Sequence, residues 1–486
     1  MEVISEYTTR QGCRVHCSQM TLSPLIDRKA ELSRLEGHCA AAAGGAARLV
    51  SVHGRRQVGK TFLLAHLIER RRELGERTLF VTALPGASER QQLDAFLRGV
   101  RSQLDIPFLP ERFDRWDGAL RFVATLAASA PLVVAIDEVP YLLSSSPTFA
   151  GSIQQLWDEI RRTAGPLHLL VVLTGSSVAT MRALGDAGGA LFGRFDDELR
   201  VDPFDLPSAA LVLPEAEPSV VVEAYAACGG YPHHLQSWDP GLSQEDNLRR
   251  LCFTSGGLLL RNGAQLIADV PEDGGFRRTL HAIGSGIQQR SAVANSAGQR
   301  VERPLDLLER ATLIRQVRPV GAPDRAAGRW EPADAFLRAW YELCWADAEQ
   351  IEAGLGDQVA AARIGRWQRH LGWVFEEQAR AHAIRLAARG DLPADARYGR
   401  WWSTSGQKAE IDVLGVVGGR AAVIGEAKWD ARPLGLRMLD ELKAKERAAP
   451  DPLPFPILCT WSRGGATDEL TKAGVRAFTP VDMIER

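Results

Sequence analysis

Long apolar runs are what this chain most plainly lacks. None approaches the roughly 20 residues that a helix needs to cross a bilayer, so no helical membrane span is expected. Charge of one sign is missing too. Lys and Arg number 58 against 60 Asp and Glu, a net charge of −2. That balance excludes a global electrostatic pull on nucleic acid, and any basic surface has to be local. Cysteine is sparse. The seven are scattered, which fits reduced thiols and not a disulfide framework. The N-terminus, Met1 to Met20, carries no basic-then-apolar leader pattern. These absences lead to the expectation of a cytoplasmic protein. Cys13-Arg14-Val15-His16-Cys17 looks faintly like metal ligands. No second ligand pair lies nearby, so coincidence is the plainer reading. Residues 1–22 read as a flexible leader, and a start at Met20 stays open.

What is present is the composition of a globular protein, 45% hydrophobic and 24% charged. With 486 residues, the chain exceeds one core, and about three domains are expected. The most informative stretch is Gly54-Arg55-Arg56-Gln57-Val58-Gly59-Lys60-Thr61. An apolar run, Ala47 to Val52, precedes it and reads as a buried strand. Phe62 to Leu67 follows and reads as a helix start. Strand, glycine-rich loop and helix in that order make a phosphate site. The loop N–H groups cradle phosphate oxygens, and the helix N-terminus adds positive potential. Lys60 reaches the outer phosphates and Thr61 ligates Mg²⁺ in such a loop.

Upstream, Leu25-Ile26-Asp27-Arg28 precedes a helix with Leu32 and Leu35 on one face. If Asp27 caps that helix, Arg28 comes near a nucleotide base or phosphate. An ordinary surface helix is the other reading. Downstream, Thr78 to Val81 reads as a strand. Leu132-Val133-Val134-Ala135-Ile136-Asp137-Glu138 is a fully apolar strand ending in two acids. Its C-terminal end opens at the ligand edge of the sheet. There Asp137 is placed to hold Mg²⁺ and Glu138 to polarise the attacking water. His168 to Ser177 repeats the design, an apolar strand ending in hydroxyls. Thr174 or Ser176 senses the γ-phosphate in one reading; in the other the hydroxyls cap the next helix. Leu191-Phe192-Gly193-Arg194 offers an arginine for transition-state charge, or a plain surface residue.

Asp27-Arg28, Gly54 to Thr61, Asp137 to Leu142, Gly175-Ser176-Ser177, Gly193-Arg194 and Gly229-Gly230-Tyr231-Pro232 together resemble the archaeal/bacterial ATPase family. That family is a branch of the STAND NTPases within the broader AAA+ group. The resemblance covers about the first half of the chain. It implies ATP binding, a five-stranded parallel core and a helical lid from Leu206 to roughly Leu260. It also implies that Pro232, in the Gly-x-Pro segment, lies near the nucleotide.

In the middle, Phe276 to Ile283, Ser291 to Gly298 and Glu302 to Arg310 read as helices. Thr312 to Val317 and Arg329 to Pro332 read as short strands. Three helices and a hairpin make a winged helix. Its third helix mixes Glu302, Arg303, Asp306, Glu309 and Arg310, where a groove reader is more basic. Packing between domains is therefore favoured over base reading. Phe336 to Trp345 reads as an aromatic packing helix.

The C-terminal part carries a second constellation. Glu410 to Val417 alternates as a strand, Gly418-Gly419-Arg420 reads as a turn, and Ala421 to Lys428 reads as a second strand. Period two puts Glu426 and Lys428 on one face. With a three-residue loop, Asp412 lies opposite Glu426; with a two-residue loop it faces Gly425. Opposed carboxylates repel, and a divalent cation between them resolves the conflict. Asp412 followed by Glu426-x-Lys428 resembles the PD-(D/E)xK nuclease superfamily. That resemblance implies Asp412 and Glu426 as Mg²⁺ ligands and Lys428 orienting or deprotonating water. Glu376, on a helix beginning near Trp373, matches the family's further acid, with Glu377 as the alternative. Lys443 or Lys445 on the following helix is a phosphate contact. Gly425 to Trp429 matches a Gly-Glu-x-Lys-Trp pattern in nuclease-like domains that follow such ATPases. Arg363, Arg366, Arg369, Arg380, Arg385, Arg389, Arg397 and Arg400 make the segment before it basic. Trp401 and Trp402 stack on bases or pack in the core.

The expected fold is α/β: a P-loop core over 23–205, a helical lid over 206–265, a winged helix over 266–345 and a restriction-endonuclease-like domain over 346–486. The expected function is an ATP-binding and ATP-hydrolysing switch coupled to a Mg²⁺-dependent nuclease acting on nucleic acid, DNA first. A regulator that grips DNA or protein and cuts nothing is the alternative. A pure ATPase with structural appendages is the third reading, and association of copies through Arg194 stays open.

Overall fold

A computed structural model describes residues 22–486 except 164, 269, 324–325 and 404–407. Cys13, Cys17 and Met20 lie outside the described residues. Five strands make the first sheet: β1 (Arg48–His53), β2 (Arg77–Thr82), β3 (Leu132–Asp137), β4 (Leu169–Gly175) and β5 (Asp197–Arg200). Their order is β2-β3-β4-β1-β5, all parallel. Every residue of β3 and of β4 is buried. Helices cover both faces of a parallel sheet, so its central strands must be apolar on both sides. Valines and leucines of alternating parity accordingly feed two cores, Val133 and Leu170 on one face and Val134 and Val171 on the other.

The helix after the phosphate loop spans Lys60–Glu73. Past β5 the chain turns wholly helical, with Leu206–Val212, Pro218–Cys228, Pro232–Gln236, Gln244–Cys252 and Leu258–Ala268. Three further helices follow, Phe276–Gly284, Arg290–Ala297 and Glu302–Arg310. The antiparallel pair β6 (Ile314–Val317) and β7 (Arg329–Pro332) comes next, then the buried aromatic helix Ala335–Leu343.

One helix, Gly356–Arg389, runs for 34 residues. The sequence reading starts it near Trp373. It begins much earlier, and its buried residues, among them Trp367, His370, Val374, Gln378 and Ala383, recur at three- to five-residue spacing, so the buried stripe shifts around the helix along its length. His370 reaches the carbonyl of Ala226 in the helix Pro218–Cys228 (2.7 Å), and Trp367 donates to Gln244 (2.6 Å).

The second sheet contains β8 (Arg397–Trp402), β9 (Glu410–Val417), β10 (Arg420–Lys428), β11 (Pro452–Ser462) and β12 (Arg476–Phe478) in the order β12-β11-β10-β9-β8. β8, β9 and β10 are antiparallel neighbours, and β10, β11 and β12 run parallel. Gly418 and Gly419 alone make the β9–β10 turn, with φ of 56° and 89°. Positive φ at both positions is the two-residue hairpin geometry that glycine favours. Arg420, read from sequence as part of the turn, already pairs with Val417. No described helix is long and apolar enough to cross a membrane.

Candidate functional site

β1 delivers the chain into the phosphate loop. A Cβ on Gly54 would lie 2.2 Å from the Val201 carbonyl oxygen, so glycine is required there. Gln57 and Gly59 adopt φ of 65° and 96°. The first bond of the next helix runs from Leu63 N–H to Gly59 O, 2.9 Å. The N–H groups of its first turn thus have no intrahelical acceptor. Lys60 is buried, and its Nζ donates to Gly54 O (2.8 Å) and Arg55 O (2.9 Å). Burial holds this ammonium down to about 8, Arg56 pushes the same way, and Glu138 and Asp137 oppose.

At the end of β3, Asp137 Oδ2 accepts from Thr61 Oγ1 at 2.7 Å and Oδ1 accepts from the Glu138 N–H at 2.9 Å. Burial lifts the Asp137 carboxyl above its usual range against those bonds. Glu138 sits in the left-handed region (φ 54°), and its Oε2 accepts from Ser176 Oγ at 2.8 Å. The two serines divide the roles open in the sequence. Ser176 holds Glu138, and Ser177 caps Val178–Gly185 by accepting from Thr180 N–H. Thr174 is buried with its hydroxyl unpaired among the described residues. The donor set suits a nucleoside triphosphate with Mg²⁺. It offers a helix N-terminus, two cations in Lys60 and Arg56, and a hydroxyl beside a carboxylate in Thr61 and Asp137. Lys60 donates to the loop's own carbonyls, a role a phosphate would take over.

Side chains of the loop also reach into later parts of the chain. Arg55 is buried, forms an ion pair with Asp334 and lies over the Tyr231 ring at 5.4 Å. Tyr231 donates to the same Asp334 carboxylate at 3.0 Å. Gln57 Oε1 meets His234 Nε2 at 2.8 Å and accepts from Asn262 at 3.0 Å. Pro232 opens the short helix that carries His234. Asp334, Tyr231, His234 and Asn262 were not read from the sequence as site residues. Asp334 and Tyr231 stand at helix caps and His234 follows Gly229-Gly230 closely, whereas Asn262, inside Leu258–Ala268, carries no such signal. Val58 O accepts from Arg28 Nη2 at 3.0 Å, which holds Arg28 against the loop.

Two expectations are corrected here. Asp27 does not cap the first helix, Lys29–Ala43. Arg28 occupies the cap position at φ 60°, and Asp27 instead takes Ser208 Oγ (2.6 Å) and Arg486 (3.1 Å). Arg194 is not brought to the phosphates. Asp158 grips its guanidinium at 3.0 and 2.9 Å, and a bidentate fork of this kind holds it in place.

In the second sheet the register turns on one residue. A two-residue turn alone sets Asp412 against Gly425. The strand pairing shifts between Ala421 and Val423, and the extra residue restores the alternative register. Gly425 then pairs with Val413, and one further step brings Glu426 opposite Asp412. Both acids are buried, at 3% exposure for Glu426 and 7% for Asp412. Asp412 Oδ2 accepts the Ala427 N–H at 3.1 Å. Glu426 is held by Lys428 at 2.5 Å and also by Lys445. Lys443 pairs with Glu446 on its own helix, 2.7 Å, so Lys445 is the lysine brought in. Of the two adjacent glutamates, Glu376 joins the site and Glu377 is taken by Arg315. Burial and the nearby Asp412 lift the Glu376 carboxyl to about 7. Arg380 donates to the Asp412 carbonyl at 2.9 Å, and burial lowers its guanidinium to about 10. Among the described residues, no group of three or more His, Cys, Asp or Glu is disposed to hold a metal ion. Lysines occupy Glu426 instead.

Part of the basic segment is engaged within the protein, while Arg366, Arg369, Arg389 and Arg397 stay exposed. Arg363 pairs with Asp347, Arg400 pairs with Glu410, and Arg385 and Arg389 donate to main-chain carbonyls of Met483 and Glu485. Trp402 is buried with Arg329 over its ring at 4.1 Å, so that face is not open to a base. The β6–β7 hairpin loop also lies on this sheet, with Val320 N–H donating to Arg400 O at 2.9 Å. Leu307 and Leu308, on the third helix of the winged-helix reading, line a cavity shared with Arg56 and Glu138. The middle segment thus touches both the phosphate-loop cleft and the second sheet.

Comparison with known proteins agrees with the first half of this description. Residues 25–237 match a family described as an ATPase domain predominantly from Archaea. Residues 340–446 match archaeal and bacterial proteins of unknown function. No curated protein matches the chain. Among solved structures, the chain is similar to the Aeropyrum pernix ORC2 protein in ADPNP-ADP complexes at 14% identity. That match covers 70% of this chain and 95% of that one, with a TM-score of 0.45. The Aeropyrum pernix ORC1 protein in complex with DNA matches at 13% identity over 70% of this chain and 95% of that one, TM-score 0.36. Cdc6p from Pyrobaculum aerophilum matches at 14% identity over 70% of this chain and 97% of that one, TM-score 0.35. The chain carries a P-loop ATPase domain joined through helices to a C-terminal α/β domain.

Proposed function

We propose that this protein is an ATP-driven switch that governs a Mg²⁺-dependent phosphodiesterase site on its C-terminal sheet, acting on nucleic acid. The observation that carries the reading is the register of β9 and β10, with Asp412 opposite Glu426 and Lys428 two residues on. In the ATPase half, Asp137 and Thr61 would hold Mg²⁺, Lys60 would bind the phosphates and Glu138 would polarise water. Asp412 and Glu426 would hold the divalent ion of the second site once the lysines on Glu426 are displaced, with Glu376 as a further acid. When bound, that ion supplies positive charge where the phosphodiester oxygen becomes negative. Lys428 orients the water or takes its proton. Lys445, paired with Glu426 here, would have to give way to a metal ion at that carboxylate. Arg55 and Gln57 support the coupling, because a change in the loop is felt directly at Asp334, His234 and Asn262. Pro232 and Arg28 complete the nucleotide surroundings in this reading.

The test is cleavage of circular and linear DNA with Mg²⁺ or Mn²⁺ by wild type, Asp412→Ala and Lys428→Ala. Metal-dependent cleavage lost in both variants supports the reading. No cleavage by wild type under any condition, with ATP still turned over, sinks it. A second reading has its own observation. Glu426 is already neutralised by two lysines, as suits a domain that binds a partner and cuts nothing.

A further inference from the structure

The phosphate loop carries two adjacent arginines, and the fold sends them in different directions. Arg55 is buried against Asp334. Arg56 stays half-buried at a cleft of about 500 Å³ that it lines together with Glu138, Tyr141 and Ser176. Its Nη2 donates to the Tyr141 hydroxyl at 2.8 Å. The helix bearing Tyr141, Val139–Ser145, starts directly after Glu138. Arg56 therefore opens onto the same space as the carboxylate assigned to the attacking water. Its charge also reaches Lys60, where it works against the ammonium. Two like charges set this close repel, and the terminal phosphates of ATP would neutralise both. The other arginine the sequence offered for this task, Arg194, is fastened to Asp158.

We infer that Arg56 is a catalytic residue of the ATPase, binding the terminal phosphoryl group as it transfers to water. The chain thus carries in cis the arginine that other phosphoryl-transfer enzymes borrow from a partner. The inference rests on the ATPase assignment. In the step itself, the water oxygen bonds to the γ-phosphorus. The bond from that phosphorus to the bridging oxygen breaks, and its electron pair leaves with ADP. The proton of the water passes to Glu138 and on to solvent. Arg56 meets the negative charge that gathers on the oxygens in flight, so it is worth more in the transition state than in the bound ground state. Tyr141 is a positioning residue that orients the guanidinium.

The experiment is steady-state Mg-ATP turnover by wild type, Arg56→Ala, Arg56→Lys, Tyr141→Phe and Lys60→Ala. Binding of a non-hydrolysable ATP analogue is measured alongside, which also reports that the Arg56 and Tyr141 variants are folded; circular dichroism reports it for Lys60→Ala. Arg56→Ala is expected to lose about 100-fold or more in kcat while analogue affinity changes by less than about threefold. Arg56→Lys should fall between, because an ammonium keeps the charge and loses the fork. Tyr141→Phe should lower kcat by less than Arg56→Ala and leave analogue affinity unchanged. An unchanged kcat in Arg56→Ala overturns the inference. So does a loss confined to KM and analogue affinity, which would make Arg56 a ground-state contact. Turnover that persists in Lys60→Ala would remove the ATPase assignment itself. Turnover lost in Lys60→Ala but intact in Arg56→Ala would remove only this inference.

Discussion

The phosphate loop and the C-terminal acid site both bury charge, and they do so by opposite routes. The loop is rich in cations, Arg55, Arg56 and Lys60, drawn from six consecutive residues. It holds them with main-chain carbonyls and one distant acid, Asp334. The second site is rich in acids, Glu376, Asp412 and Glu426, drawn from a helix and two strands. It holds them with Lys428, Lys445 and a main-chain N–H. The first arrangement suits an anion, and in the second Lys428 and Lys445 neutralise Glu426.

The comparison can be broken first at Asp334. Asp334→Ala leaves Arg55 buried and unpaired and should cost about 3–5 kcal/mol in urea unfolding. Asp334 also caps Ala335–Leu343, accepting from Leu337 N–H at 2.8 Å. Asp334→Asn keeps a capping oxygen, so the difference between the two variants isolates the ion pair. Lys60→Ala attacks the other side of the comparison. ATP turnover should fall by about 10²–10³-fold. Cleavage measured without nucleotide should stay within about twofold, because among the described residues the two sites share no hydrogen-bond or ion-pair partner. Equal losses at both would mean that they are one site in energetic terms.

The next effect is a matter of pH. Lys60 loses its proton near 8 in the ligand-free protein. If its ammonium binds the phosphates, Mg-ATP affinity should fall by up to about tenfold per pH unit above 8, read by titration calorimetry. A flat profile to pH 9.5 would contradict that role. The smallest effect lies at Glu376. Its folded-state carboxyl sits near 7, above the ordinary 4.5. Stability from its protonated form is present below that ordinary value and is lost as pH rises through about 7. Glu376→Gln should therefore match wild type more closely at pH 6 and gain about 1 kcal/mol on it by pH 8. A difference that does not change with pH would mean Glu376 is not held in its protonated form.

The two regions also differ in how much of them the sequence discloses. The phosphate loop, Asp137 and Glu138 could be read because their chemistry needs fixed residue types at strand ends, and hydrophobic runs mark those ends. Asp412, Glu426 and Lys428 were legible as residue types, but not their register. One extra residue near Ala422 decides it, and no periodicity announces a bulge in an apolar strand. The partners of the loop were out of reach. Arg55 and Asp334 stand 279 positions apart, and His234 meets Gln57 from 177 away. Long-range pairs leave no local pattern. The helix Gly356–Arg389 was cut short in the reading because its buried stripe shifts around the helix along its length. Its arginines looked like a phosphate-binding surface, since composition cannot tell a solvated guanidinium from one already paired to Asp347 or Glu410.

The central claim is that the nucleotide held by the loop controls the acid site. The most direct measurement is DNA cleavage with Mn²⁺ in the presence of ATP, ADP or no nucleotide, for wild type and Lys60→Ala. The account predicts a wild-type rate that changes with the nucleotide and a Lys60→Ala rate that does not. Cleavage equal under all three conditions, with ATP shown to be bound, would contradict it.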